Sequence, residues 1–337
     1  MVITNQTPTS KEANDAKPPA KPSAVHKRLN VFVSMFNKTV LKRILRLGSA
    51  LLVSLAFHAN AQVANSDLPK KDTQMTPSVI QGPQGQLATF RMGACKGLPL
   101  VFVHADPGRA TQWKAVMTSM SKTHDVVAFD FRGSGASAPP ADGDYSHAGR
   151  AADIAAVADD FQLKRFVIVA HSAGAAVALN YAASHGDRVA GLIMVDPVTD
   201  PRAMPADMRE GFVKDMAGPK SAQVFKAYVE SIAGPNPAIR KQVTADAQTL
   251  DAKGRAGVAK VTGDWNPEIT LKAYKGPIFI LSTPATDNAG ALYRLRPDIP
   301  HEVVPTEGHW IQLDLPDEVE KAIEKFLINV AFNTTPQ

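Results

Sequence analysis

The stretch Val167-Ile168-Val169-Ala170-His171-Ser172-Ala173-Gly174 is an apolar run that ends abruptly in a serine flanked by small residues. It reads as a buried strand turning sharply into a helix, with Ser172 at the apex. A serine hydroxyl is a poor nucleophile unless a strained bend presents it beside a base and near backbone N–H donors. Small neighbours make that bend sterically possible. The usual pattern for such a turn is Gly-x-Ser-x-Gly; here Ala170 stands in the first glycine position and Gly174 keeps the second. The departure is one methyl group at a crowded position.

The chain has 337 residues, room for one large domain or two small ones, and a formal charge of +5 that is unevenly spread. Residues 1–61 hold nine Lys or Arg against two acids, a net of +7, and the remainder is net −2. The basic balance therefore belongs to the leader, and no nucleic-acid partner is expected. Within the leader, Lys38, Lys42, Arg43 and Arg46 precede the apolar run Leu47 to Phe57, which Ala59-Asn60-Ala61 closes before Gln62. That is the layout of a secretory signal peptide over residues 35–61, with cleavage after Ala61. The apolar run is too short to span a bilayer comfortably, so no stable membrane span is expected after cleavage, and the protein is expected outside the cytoplasm, periplasmic or secreted. Residues 1–34 form a polar extension, and Met35 is an alternative translation start. The single cysteine, Cys95, excludes an intramolecular disulfide and reads as a small apolar filler.

Residues 62–85 read as a polar linker and a first strand region, after which short apolar runs alternate with helical patterns. Such alternation predicts a mostly parallel sheet covered by helices. Strands are expected at Ala88 to Met92, Leu98 to His104, Asp125 to Phe131, Arg165 to Ala170, Gly191 to Val195, Ile278 to Ser282 and His301 to Val304. Helices are expected at His147 to Phe161, Gly174 to Ser184 and Glu318 to Val330. Residues 201–275 break the rhythm: no strand pattern occurs, and Val224, Phe225, Tyr228, Val229 and Ile232 share one helical face. About seventy residues far exceeds an ordinary strand connection, so this segment is read as an inserted helical lid between core segments 86–200 and 276–337.

Three further landmarks stand in register with the serine turn. His104-Ala105-Asp106-Pro107-Gly108 begins at the end of the second of these strands, Asp130-Phe131-Arg132-Gly133-Ser134-Gly135 at the end of the third, and Glu307-Gly308-His309-Trp310 comes late. In this order and at these distances, from about residue 85 to 331 without the lid, the chain resembles the α/β-hydrolase fold superfamily, and within it serine hydrolases of the esterase type. The resemblance implies that Ser172 attacks an electrophilic carbon while His309 takes its proton and later returns it to the leaving group. It implies an oxyanion hole formed by the backbone N–H groups of Ala173 and Asp106. Asp106 departs from the family, which places an apolar residue there, and is either a loop-structuring aspartate or an element of specificity. Two aspartates compete to orient His309. Asp287 follows the strand Ile278 to Ser282, the commonest place for the acid, although by a longer approach than usual; Asp196 ends the strand Gly191 to Val195 and is the alternative.

Arg132 with Asp130 is assigned to tying down loops, and Trp113, Trp310 and Phe131 to packing around the site, where any of them could wall an acyl pocket. His171 is expected to point away from the nucleophile. No His, Cys, Asp or Glu cluster has metal spacing and no glycine loop fits a nucleotide, so no cofactor is expected. The expected function is hydrolysis of an ester, lactone or related acyl compound, small and largely apolar, through an acyl-enzyme. Amide or carbon–carbon cleavage on the same fold, and a non-catalytic protein holding a small ligand, are the alternatives.

Overall fold

The computed structural model describes Met75, residues 77–93 and residues 97–333. The polar extension, the signal peptide and Cys95 lie outside the described residues.

Eight strands form one sheet: β1 (Ser78–Gly82), β2 (Gly85–Met92), β3 (Leu100–Val103), β4 (Val126–Phe129), β5 (Phe166–His171), β6 (Val189–Val195), β7 (Ile278–Ser282) and β8 (His301–Val303). Their order across the sheet is β1-β2-β4-β3-β5-β6-β7-β8. Pairing is antiparallel from β1 to β2 and from β2 to β4, and parallel everywhere else. Every residue of β3, β4, β5, β6 and β7 is buried, as continuous apolar runs require when helices cover both faces of a sheet. This is the α/β-hydrolase core expected from the sequence.

On one face lie α1 (Lys114–Met120) and α11 (Pro316–Asn333). Trp113, Val116, Met117, Val319, Ile323 and Phe326 join Phe102, Val169 and Ile193 of the sheet there. On the other face α2 (His147–Asp160) and α3 (Ala173–Ser184) bring Ile154, Val157, Val177 and Leu179 against Val101, Ile168 and Met194. Asp130 and Phe131, expected within a strand, lie beyond β4. The Asp130 carboxylate accepts from the N–H groups of Ala110 and Ala136 at 2.7 and 2.8 Å, which turns the chain away from the sheet.

Between β6 and β7 the chain makes five helices: α4 (Ala206–Ala217), α5 (Ser221–Ile232), α6 (Pro237–Ala247), α7 (Ala252–Gly263) and α8 (Pro267–Ala273). Their starts are written locally. Asn236 and Asn266 each precede a proline and cap α6 and α8 with the side-chain oxygen, and Asp251 caps α7 through the Gly254 N–H. Val224, Phe225, Val229, Ile239, Val243 and Val258 form a separate core that also takes in Trp310 and Tyr145 of the α/β body. Two short helices, α9 (Leu292–Leu295) and α10 (Ile311–Asp314), complete the chain.

His147, at the start of α2, is buried with its ring edge-on to Trp265, 5.8 Å between centroids. Burial, and then the positive charge of Arg150, push its pKa from 6.5 down to about 3, with Asp106 acting weakly the other way. In the unfolded chain the ring titrates near its ordinary value, so below pH 6.5 the unfolded state holds a proton that the native state refuses. Stability is therefore complete above that pH and is lost as pH falls toward 3. Replacing His147 with Phe should flatten the dependence of unfolding free energy on pH between 6 and 4 by up to about 1.4 kcal/mol per pH unit. Urea titrations at several pH values measure this, and an unaltered slope would remove His147 as a contributor.

Candidate active site

The parallel strands deliver their chemistry at one edge, because β3, β5, β6, β7 and β8 all end on the same side of the sheet. Ser172 follows β5 directly and takes φ 53° and ψ −126°, a conformation that L residues rarely adopt. Its N–H donates to the Val195 carbonyl at 3.1 Å, pinning the turn to the end of β6. Gly174 is needed for the same turn, since a Cβ there would stand 2.3 Å from the His104 carbonyl oxygen. The chain leaving β3 thus passes against the first turn of α3. Ala173 opens that helix, so its N–H is one of the donors that no intrahelical acceptor reaches.

The Ser172 Oγ lies 2.8 Å from His309 Nε2, and His309 Nδ1 lies 2.5 Å from Asp196 Oδ2. Asp196 has no exposure to solvent, and its own φ is 42°. Its carboxylate also accepts from the Thr283 N–H at 2.8 Å, from the Thr283 hydroxyl at 3.2 Å and from the Thr286 hydroxyl. These donors make a fully buried charge tolerable, since an unpaired one would cost several kcal/mol.

Asp287, the first of the two expected acids, is not at His309. Residues 283–287 wind into a tight turn in which the N–H groups of Thr286 and Asp287 both donate to the Thr283 carbonyl. The turn aims the two threonine side chains at Asp196 and carries Asp287 toward α9. There its Oδ1 accepts from the Tyr293 hydroxyl at 2.7 Å and from Arg294 Nη2 at 2.8 Å. The expectation for Asp287 is corrected accordingly, and Asp196 occupies the place facing the imidazole.

Asp106 points its carboxylate into a buried ion pair, with Arg150 Nη1 donating to Oδ2 at 2.5 Å. Arg150 lies over the Phe131 ring, 5.4 Å from the centroid, and among the described residues its Nε and Nη2 have no hydrogen-bond partner. The loop aspartate is therefore held by a structural cation. Arg132 is similarly engaged, reaching Asp153 with Nε and Nη2 at 2.9 and 2.6 Å.

His171 turns its ring beneath the His309 loop. Its Nδ1 accepts from the Gln312 amide at 3.1 Å, which leaves Nε2 to donate to the His309 carbonyl at 2.9 Å. Burial, reinforced by neighbouring His309, holds the His171 pKa far below the usual range, so this ring stays neutral. His104 is neutral for the same first reason; its Nδ1 donates to the Ala105 carbonyl and its Nε2 accepts from the Phe131 N–H. Trp113 and Trp310 stand edge-on to His171 at 6.5 and 5.8 Å.

A cavity of about 220 Å³ opens onto Ser172 and His309. Neither tryptophan nor Phe131 lines it. Its walls come from the loop after β6, with Pro197 and Val198, and from the helical insertion, with Phe212, Val213, Tyr228 and Ile232. Burial, with Asp196 nearby, pushes the Tyr228 phenol up to about 12, so it remains protonated on the wall. Sequence reading missed Thr283 and Thr286 as partners of the acid. The available signal was two hydroxyl residues three apart just after a strand.

The chain belongs to the alpha/beta hydrolase family, whose model matches residues 100–322. Among curated proteins it is 28% identical over 248 residues to 2-(acetamidomethylene)succinate hydrolase of Mesorhizobium japonicum, covering 68% of this chain and 87% of that one. It is 34% identical over 140 residues to the non-heme chloroperoxidase of Burkholderia pyrrocinia, a match that spans 38% of this chain and about half, 49%, of the relative. Among solved structures, a thermophilic esterase from Thermogutta terrifontis superposes with a TM-score of 0.65 at 23% identity, covering 76% of this chain and 99% of that one. The chain is a hydrolase of this superfamily.

Removing one member of a buried ion pair strands the other, at a typical cost of 3–5 kcal/mol. Asp106→Asn keeps the shape and removes the charge facing Arg150, so it should lower the unfolding free energy by about 3 kcal/mol. Urea denaturation measures the change; a loss within experimental scatter would show that the pair does not hold the loop.

Proposed function

We propose that the protein is an exported serine hydrolase that cleaves an ester, lactone or related acyl compound through an acyl-enzyme. The observation that carries this reading is the continuous path from Ser172 Oγ to His309 Nε2, and from His309 Nδ1 to the buried Asp196 carboxylate, at 2.8 and 2.5 Å.

In the proposed cycle the Ser172 oxygen adds to the carbonyl carbon as its proton passes to His309 Nε2. The imidazolium that forms is stabilised by the adjacent Asp196 carboxylate. The carbonyl oxygen becomes an oxyanion, and the N–H groups of Ala173 and Asp106 are its proposed donors, the first aided by the positive end of α3. Collapse expels the leaving group, which takes the proton from His309. A water then adds to the acyl-enzyme, giving its proton to the same nitrogen, and the second collapse frees the acid and restores Ser172. A serine rather than a carboxylate at the turn supports acyl chemistry over alkyl-enzyme chemistry. The mainly apolar cavity wall supports a substrate with an apolar body, and the helical insertion is read as its lid. Names among the similar proteins, an esterase and a hydrolase, agree with the reaction class.

A fluorophosphonate should label the wild-type protein covalently and fail to label Ser172→Ala; an unlabelled wild type would refute the nucleophile. Asp196→Asn should lower kcat by about 10⁴-fold, because the imidazole loses its orienting partner, whereas Asp287→Asn should stay within a few-fold of wild type on p-nitrophenyl esters. The reverse ranking would return the role to Asp287. Export rests on the leader sequence, and N-terminal sequencing of protein recovered outside the cytoplasm should begin at Gln62. A start upstream of Ala59 would contradict cleavage there.

A further inference from the structure

Arg209 stands on α4 and lines the same cavity as Ser172 and His309. It is half-buried, and its stem packs toward α7, where a Cβ on Gly263 would lie 3.7 Å from Arg209 Cγ. The guanidinium makes a long contact of 3.4 Å from Nη1 to the Pro201 carbonyl and, among the described residues, has no carboxylate within 4 Å. Three other arginines near the core differ in this. Arg132, Arg150 and Arg202 each hold an aspartate at 2.5 to 2.8 Å. Asp200 feels the charge of Arg209 at a distance, but its carboxylate is hydrogen-bonded by both Nε and Nη2 of Arg202.

The cavity that Arg209 lines has an apolar wall that includes Met204, Phe212, Val213 and Ile232, and none of these four side chains offers a cation an acceptor. A ligand that fills the cavity removes water from the guanidinium, and a neutral ligand returns at most hydrogen bonds without an opposite charge. A carboxylate returns two charge-assisted hydrogen bonds in the fork geometry that arginine presents. Among the described residues Glu307 is the other charge on the lining with no ion-pair partner within 4 Å; it is exposed and screened by solvent, whereas Arg209 is half-buried.

We propose that Arg209 makes this cavity a binding site for acyl substrates that carry a free carboxylate, such as monoesters of dicarboxylic acids. The inference rests on the serine-hydrolase reading for the reaction and names the substrate class of that site. The carboxylate binds Arg209 while the scissile carbonyl lies at Ser172, and the apolar middle of the substrate covers the wall between them. Arg209 is a specificity residue: it holds the part of the substrate that does not react, so its loss falls mainly on KM.

The test separates binding from turnover. Titration calorimetry with 4-phenylbutyrate, its neutral amide and 4-phenylbutylamine should show the carboxylate binding wild type at least about tenfold tighter than the amide. That preference should vanish in Arg209→Met and survive in part in Arg209→Lys. For mono-p-nitrophenyl glutarate against p-nitrophenyl pentanoate, Arg209→Met should raise KM about tenfold for the first ester only, with kcat within a few-fold. Equal affinities for the three ligands, preference for the amine, or equal losses on both esters would overturn the proposal. Fluorophosphonate labelling of the same samples reports on Ser172 separately. A carboxylate preference without labelling would keep the Arg209 site and refute the acyl-enzyme; labelling without the preference would do the opposite.

Discussion

The Asp196 carboxylate is the constraint around which the site is arranged. It sits at the end of β6 with no water to solvate it, and a buried charge survives only where hydrogen-bond donors replace that water. The donors come from two directions. The turn after β7 offers one N–H and two threonine hydroxyls, and the loop after β8 offers the His309 ring. Satisfying the carboxylate therefore fixes the conformation of the β7 turn and the orientation of the imidazole together. The imidazole in turn meets a serine that is itself held in an unfavourable backbone conformation. Ser172 and Asp196 end neighbouring parallel strands with φ of 53° and 42°, at a cost of about 1–3 kcal/mol each. The sheet beneath them offsets that cost, because the Ser172 N–H is bonded to β6 and the Asp196 N–H to Leu281 of β7 at 2.6 Å.

What could be read from the sequence follows from which interactions are local. A strand buried on both faces is a continuous apolar run, and β3, β5, β6 and β7 are legible for that reason. The serine turn is legible because it needs small residues at fixed offsets. The edge strand β1 is harder, since only Ile80 and Gly82 of its five residues are buried and its alternation is weak. The identity of the aspartate facing His309 was not legible. Asp196 and Asp287 both follow parallel strands, and the choice depends on how residues 283–286 wind, which is settled by hydrogen bonds between segments almost ninety residues apart in sequence. Arg150 as the partner of Asp106 was hidden in the same way: the pair spans 44 residues and no spacing rule connects them.

The helical insertion has two roles that cannot be separated. It walls the cavity through α4, α5 and α7, and it also holds the histidine loop from behind. The His309 N–H donates to the Ile232 carbonyl at the end of α5 at 2.9 Å, and Gly234 lies so close to Gly308 that an added Cβ would be 2.7 Å from the Gly308 Cα. A second tie runs through α6, where Asp246 accepts from the Gln112 amide at 2.8 Å while the Gln112 oxygen accepts from the Trp310 indole. Trp310 adjoins His309, so this chain of bonds ends at the same loop.

This attachment divides the insertion into a fixed side and an adaptable one. Any movement that lifts α5 or α6 from the core must stretch a hydrogen bond to the His309 backbone or break the Gln112 bridge, and so disturbs the imidazole. Among the described residues α4 makes no such bond to the histidine loop; its ties at the cavity are the long contact from Arg209 to Pro201 and the Phe212 ring against Tyr228 of α5. The cavity wall can therefore shift on the α4 side at less cost to the geometry at His309 than on the α5 side. Substitutions on α5 that reshape the pocket act on the wall and directly on the His309 loop, whereas those on α4 reach that loop only through α5.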